Sequence, residues 1–160
     1  MVEGPGDVFA SLMHPMAIVT MSAPRERDGC LVGFHSQCSI DPSRYLVCIS
    51  TQNRTFSALA SARALAVHFL ASSDMALARL FGGVTGDDVD KFAQCAWSPG
   101  PLGVPVLRHD GTWLAGSIVA RHELGDHHAV VIDAAFGGGN PPRRQLQNTD
   151  IVQLQPGHPA

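Results

Sequence analysis

Short apolar blocks rich in β-branched side chains alternate with polar breaks along this chain, the pattern of strands joined by turns. Ala17-Ile18-Val19-Thr20-Met21 and Leu31-Val32-Gly33-Phe34 flank a polar stretch from Pro24 to Gly29. Its Asp28-Gly29 pair supplies the backbone freedom of a tight reversal, so the two blocks read as a hairpin. Tyr45 to Ser50 and Leu65 to Leu70 are continuous apolar runs, which predicts strands buried on both faces or nearly so. Thr112 to Leu124 and His127 to Phe136 are longer and are separated only by Gly125-Asp126, a Gly-first pair suited to a type II′ turn.

Helical signals are fewer. Asp7 caps a short opening helix that runs through Met13 and stops at Pro15, and Phe56 to Ala62 is Ala-rich. Ser73-Asp74 opens a helix from Met75 to Phe81, with Leu77, Leu80 and Phe81 at i, i+3, i+4 spacing and Gly82 as its stop, a flank or lid. Gly137-Gly138-Gly139 and Pro141-Pro142 break the pattern and begin a polar tail, with one short strand around Ile151-Val152 and a loose end from Pro156 to Ala160. Strands joined by short turns, with two or three short helices between them, predict a mainly β fold: an antiparallel barrel with helices on its flank, not an alternating βαβ sheet.

Length and composition narrow this further. The 160 residues suit one domain, with its core over about residues 8–136 and the tail over 137–160. Hydrophobic residues make up 45% and charged residues only 16%, so part of the surface is expected to be covered by a second copy, a homodimer. The 11 Lys plus Arg are scattered and the net charge is -3, which leaves no footprint for nucleic acid or an acidic membrane. Cys30, Cys38, Cys48 and Cys95 form no C-x-x-C pair and read as reduced thiols. With no signal-peptide pattern at the start and no membrane span of ~18 apolar residues, the expected compartment is the cytoplasm.

Several residues can carry chemistry. If Leu46 to Ser50 is a strand leading into the helix at Phe56, then Ser50, Thr51, Gln52, Asn53 and Thr55 gather where free N–H groups and hydroxyls hold a phosphate, or where Thr51 or Asn53 simply caps the helix. Arg54 favours the phosphate, since one such ion pair at ~4 Å is worth about 4 kcal/mol at a surface-like dielectric. Lys91, in Asp90-Lys91-Phe92 after the Gly-rich Gly82 to Gly86, can reach a phosphate or ribityl hydroxyl; otherwise it is solvated while Phe92 anchors the loop. His127 follows the Gly125-Asp126 turn at an open end of the barrel, where it can steer a nicotinamide or bond a flavin ring. His122 shares its face and His128 points the other way, so no metal site is expected. Gly33 leaves room for a flat ring against the backbone, and His35-Ser36-Gln37-Cys38 offers donors for the negative N1/O2 edge of a reduced flavin; the alternative is a strand end with Cys38 as small filler. Trp97 and Trp113 are expected in the core.

Taken together, Val32-Gly33-Phe34, Ser39-Ile40-Asp41-Pro42, Asn53-Arg54-Thr55, Asp90-Lys91-Phe92 and Gly125-Asp126-His127 resemble, in order and spacing, the flavin reductase-like domain family, the FMN-binding split β-barrel, most nearly its actinobacterial branch. The resemblance implies a homodimer of split barrels holding FMN or FAD near the subunit interface, reduced by NADH or NADPH. It also implies roles. Gly33, Phe34, His35, Ser36, Gln37, Cys38 and Ser39 would meet the ring; Ser50, Thr51, Asn53, Arg54 and Thr55 the phosphate and ribityl chain; Lys91 and Phe92 the cofactor's polar tail; and His127, the catalytic candidate, the nicotinamide. The activity so implied is NAD(P)H:flavin reduction, with reduced flavin passed to a partner monooxygenase. The alternatives are reduction of a small organic substrate by tightly held FMN or a deazaflavin, and a non-catalytic flavin or haem module with His35 or His127 on iron. The chain departs from the family pattern at His35-Ser36-Gln37-Cys38, where small hydroxyl residues are common, and at Gln145-Leu146-Gln147, where an aromatic strand is usual.

Overall fold

A computed structural model describes residues 1–84, 88–155 and 157. Seven of its strands, β1 (Ala17–Ala23), β2 (Glu26–Val32), β3 (His35–Ser39), β4 (Arg44–Ser50), β5 (Ala64–Phe69), β8 (Thr112–Glu123) and β9 (His127–Gly139), form one sheet in the order β2-β1-β5-β8-β9-β4-β3. Every neighbouring pair is antiparallel. The two edge strands, β2 and β3, follow each other in sequence with only Gly33-Phe34 between them. The sheet therefore curls until its edges meet at that corner, where the Cys48 N–H donates to the Phe34 carbonyl at 2.9 Å. The result is a split barrel, open between β2 and β3, with α1 (Pro5–Ser11) and α3 (Met75–Gly82) outside the sheet and α2 (Arg54–Leu59) packed through Ala58 and Leu59 onto the core inside the curl.

Alternation along the strands sorts the core. Ala17, Val19 and Met21 of β1 pack with Val47, Ile49, Leu65, Val67, Val130 and Ile132 inside the curl. Met16 and Ile18 face the other way, onto Phe81, Leu107 and Leu146 beneath α3 and the tail. Strands β1 and β5 are thus covered on both faces, as a continuous apolar run requires. Strand β4 is fully buried only at Val47 and Ile49, so its apolar run overstates its burial.

Four expectations need correction. The β1–β2 reversal is at Pro24-Arg25, with Ala23 paired to Glu26, while Asp28-Gly29 lies inside β2. A polar pair is tolerated there because Asp28 Oδ1 accepts from Thr55 Oγ1 at 3.1 Å and from the Gly29 N–H at 2.7 Å. Residues 35–39 form a full strand and not only a strand end; their polarity is that of an edge, and pairing to β4 supplies the regularity. The opening helix is capped at Gly4 without a side-chain bond, while the Asp7 carboxylate accepts from the Glu3 N–H. At Ile151 the chain forms a 3-10 turn (Asn148–Ile151), not a strand, because the Asp150 carboxylate accepts from the Gln147 N–H and folds the backbone on itself.

A small hairpin of β6 (Trp97–Pro99) and β7 (Pro105–Leu107) lies beyond the sequence reading. Buried His68 locks it to the sheet: Nδ1 donates to the Ile18 carbonyl at 3.1 Å and Nε2 accepts from the Leu107 N–H at 3.0 Å. The expected loose end lies largely outside the described residues, as do Thr85 and Gly86 of the Gly-rich segment. Gly157 is described, and its N–H donates to the Gly82 carbonyl at 3.2 Å. No helix among the described residues is long and apolar enough to cross a membrane.

Candidate functional site

The β2–β3 corner sits over a cavity of about 290 Å³ lined by Gly33, Phe34, Ser50, Asn53 and His127 from the predicted set, and by His14, Cys30, Cys48, Asn148, Ile151 and Leu154 among others. His127 is where the sequence places it, just past Gly125, whose positive φ of 125° makes the turn. Its Nδ1 bonds Asp126 Oδ1 at 2.8 Å, which leaves Nε2 for a ligand. That bond holds the Asp126 carboxyl below its usual range. The Phe34 ring lies 5.1 Å from His127 on one side and 6.1 Å from His14 on the other, so three rings edge the cavity mouth.

A second cavity, of about 360 Å³, is lined by Glu26, Arg27, Asp28, Arg54, Asp88, Val89, Asp90, Lys91 and Phe92. The two cavities flank one step of the chain: Asn53 faces the first and Arg54 the second, while β2 gives Cys30 to one and Asp28 to the other. Asn53 caps α2, its Oδ1 accepting from the Thr55 N–H at 3.2 Å. Arg54 Nη2 reaches Glu26 Oε2 at 2.9 Å. The Lys91 ammonium is buried and donates to the carbonyls of Gly29 and Phe81, both at 3.3 Å; burial lowers its pKa. Phe92 packs edge-on against Phe81 and Trp97. One Asp28 oxygen, Oδ2, is buried with no partner among the described residues.

The remaining predicted residues are elsewhere. Burial lowers the His35 pKa and favours the neutral ring; Nε2 then donates to the Pro15 carbonyl and Nδ1 accepts from the Tyr45 hydroxyl, both at 2.7 Å. Both nitrogens are engaged, so neither is open to a haem iron or a ring. Ser36 bonds its neighbour's carbonyl, and Gln37, Cys38 and Ser39 line a shallow depression on the outer edge of β3. Thr51 ties its N–H and hydroxyl to the Asp126 carbonyl, which fixes the His127 turn against the start of α2. Thr55 is buried on Asp28. His128 stacks on Phe56 at 4.6 Å, and no group of three potential metal ligands occurs among the described residues. His14 and Asn148 escaped the sequence reading because neither lies in a motif; only pairing between the chain's two ends brings them to the site.

The first cavity has mainly apolar walls, and the second mixes the cations of Arg27, Arg54 and Lys91 with the carboxylates of Glu26, Asp28, Asp88 and Asp90. Comparison with known proteins supplies the family. The family model described as "Flavin reductase like domain" matches residues 9–135. The chain is 29% identical over 135 residues to the FMN reductase (NADH) RutF of Variovorax paradoxus, covering 82% of this chain and 74% of that protein. It is 31% identical over 129 residues to the 4-hydroxyphenylacetate 3-monooxygenase reductase component of Salmonella typhimurium, covering 79% and 75%. Other curated relatives are longer, and the chain spans 54% and 52% of two of them. Among solved structures, the NADH:FAD oxidoreductase SgcE6 of Streptomyces globisporus shares the fold with a TM-score of 0.79 at 23% identity, over 86% of this chain and 82% of that one.

Proposed function

The chain belongs to the flavin reductase-like domain family, and from that premise we propose that it is an NADH- or NADPH-dependent flavin reductase acting on FMN, with FAD as the alternative flavin. The observation that carries the reading is the pair of cavities parted at the Asn53–Arg54 step, one walled by apolar side chains, the other lined by the cations of Arg27, Arg54 and Lys91 together with the carboxylates of Glu26, Asp28, Asp88 and Asp90. A flavin supplies the hydride-accepting ring; the protein's part is orientation and charge. Phe34, Gly33 and Ser50 bound the ring slot. Arg54, Lys91 and Phe92 bound the phosphate end. His127 Nε2, held by the Asp126 bond to Nδ1, faces the nicotinamide and aligns it over the ring. The buried Cys30 thiol, pushed up to about 12 mainly by burial, stays protonated and serves as wall.

Names of relatives support two further parts of the reading. Several are reductase components of monooxygenases, so the reduced flavin made here passes to a monooxygenase partner. The homodimer is supported by α1, which buries none of its own residues and leaves Phe9 67% exposed, and by Met13 just beyond it, exposed to the same degree. The four free thiols suit a reducing cytoplasm. Titration with FMN and with riboflavin tests the site: FMN binds about tenfold more tightly, and Arg54→Gln removes most of that difference. Equal affinity for the two flavins in the unaltered protein would contradict a phosphate at Arg54.

A further inference from the structure

Among the described residues the lining of the ring cavity contains no carboxylate, lysine or arginine. Its ionisable side chains are His14, His127 and the thiols of Cys30 and Cys48, the thiols being held protonated by burial. The two imidazoles are not equivalent. His127 is bonded to the Asp126 carboxylate at 2.8 Å, so a proton gained there is offset by an adjacent negative charge. The His14 imidazole makes no hydrogen bond and no ion pair among the described residues; its ring lies 6.1 Å from the Phe34 ring.

The backbone of His14 is nonetheless fixed. Asn148 holds it from both sides: Oδ1 accepts from the His14 N–H at 3.1 Å, and the Asn148 N–H donates to the His14 carbonyl at 3.0 Å. The side-chain amide of Asn148 also donates to the Leu12 carbonyl at 2.8 Å. The imidazole lies directly over Gly33, where an added Cβ would sit 3.2 Å from Nε2, so the missing side chain at that position is what admits the ring. A titratable group is thus held at the cavity wall by the C-terminal segment with its nitrogens left for a ligand.

We propose that His14 is a second ligand-facing imidazole of the ring cavity and that its positive charge favours the anionic reduced flavin over the neutral oxidised one. This rests on the flavin reading above. The groups that face His14 are His35 of β3, the Cys30 and Cys48 thiols of β2 and β4, and His127 of β9 with its carboxylate partner. His35 is neutral and engaged on both nitrogens, and Asp126 is already bonded to His127. An anion at the ring's N1/O2 edge is thereby matched to the one imidazole of the lining whose charge is not already balanced.

The test compares dissociation constants for oxidised FMN and for chemically reduced FMN, measured anaerobically on the alkaline side of neutrality, in the unaltered protein, His14→Gln, His14→Lys and His127→Gln. The ratio of the two constants cancels any general loss of fold or affinity. The preference for reduced FMN is expected to be about tenfold greater in His14→Lys than in His14→Gln, with the unaltered protein between them. His127→Gln is expected to leave that preference close to the unaltered protein's. If the variants fail to fold, the His14 ring protons of the unaltered protein are followed by NMR and are expected to respond differently to reduced and to oxidised FMN. Equal ratios in the Lys and Gln variants, a preference lost in His127→Gln, or His14 ring protons indifferent to the flavin's redox state would overturn the proposal while leaving the flavin reading standing. An unaltered protein that takes up neither form of FMN would overturn both.

Discussion

His68 is fully buried and hydrogen-bonded at both ring nitrogens, and burial, with His109 beside it, takes its pKa from 6.5 down to about 3. A histidine held neutral in the fold contributes stability that is fully present above about 6.5 and is lost as the pH falls toward 3, because the unfolded chain takes up the proton first. Each pH unit in that window removes up to about 1.4 kcal/mol. Chemical denaturation across the range is expected to show that slope, reduced in His68→Gln; an unchanged slope would mean that the ring titrates freely in the fold. His127 belongs to the same scale, as the proposed contact to the nicotinamide. His127→Ala is expected to lower kcat/KM for the nicotinamide about tenfold while FMN affinity changes much less, and the reverse split would move His127 from the nicotinamide to the flavin. At this scale the sequence was a partial guide. Its turn grammar located His127, whereas His35 stood in the right motif but turned to Tyr45 and Pro15, because a strand sends alternate side chains to opposite faces and polarity alone does not say which.

The β8–β9 hairpin is the longest pairing in the sheet, and it bends at a register shift between Ala115 and Gly116. An added Cβ at Gly116 would sit 1.7 Å from the Asp133 carbonyl oxygen, so the strands approach there only because position 116 has no side chain. Gly116→Ala is expected to cost about 2 kcal/mol or more and to lower the thermal midpoint by roughly 5 °C; an unshifted midpoint would show that the bend relaxes freely. The C-terminal segment acts as a strap, running beside residues 14–16 and 70–72 through bonds such as Met16 N–H to the Leu146 carbonyl at 2.7 Å. Asn148→Ala removes the two side-chain bonds to His14 and Leu12 and is expected to cost about 1–2 kcal/mol, with faster hydrogen exchange at the His14 amide. Unchanged exchange there would show that the strap does not hold the cavity wall. The strap was not legible as such, since a polar tail carries no periodicity and its order comes from backbone pairing with distant segments.

For the molecule as a whole, the fold class was readable because the long apolar blocks and the Gly125 turn predict antiparallel strands, and an alternating βαβ pattern is absent. What could not be read was the way the barrel closes on itself. The two-residue step at Gly33-Phe34 that joins the sheet's edges, and so makes the cavity, reads in sequence as the end of the apolar block Leu31-Val32-Gly33-Phe34. The proposed homodimer would draw on exposed apolar surface: α1 and Phe34 leave apolar area that one copy does not cover. Sedimentation is expected to give twice the mass of 17.0 kDa, and a monomer at micromolar concentration would remove that part of the account. The central claim is that the cavity beneath the β2–β3 corner presents a flavin to a nicotinamide. Its most direct measurement is the oxidation of NADH and of NADPH by the purified protein with FMN, with FAD and with no added flavin. The account predicts rapid turnover with at least one nicotinamide that depends on flavin, bound or added. Failure to oxidise either nicotinamide under all three conditions by a protein that is folded and dimeric would contradict it.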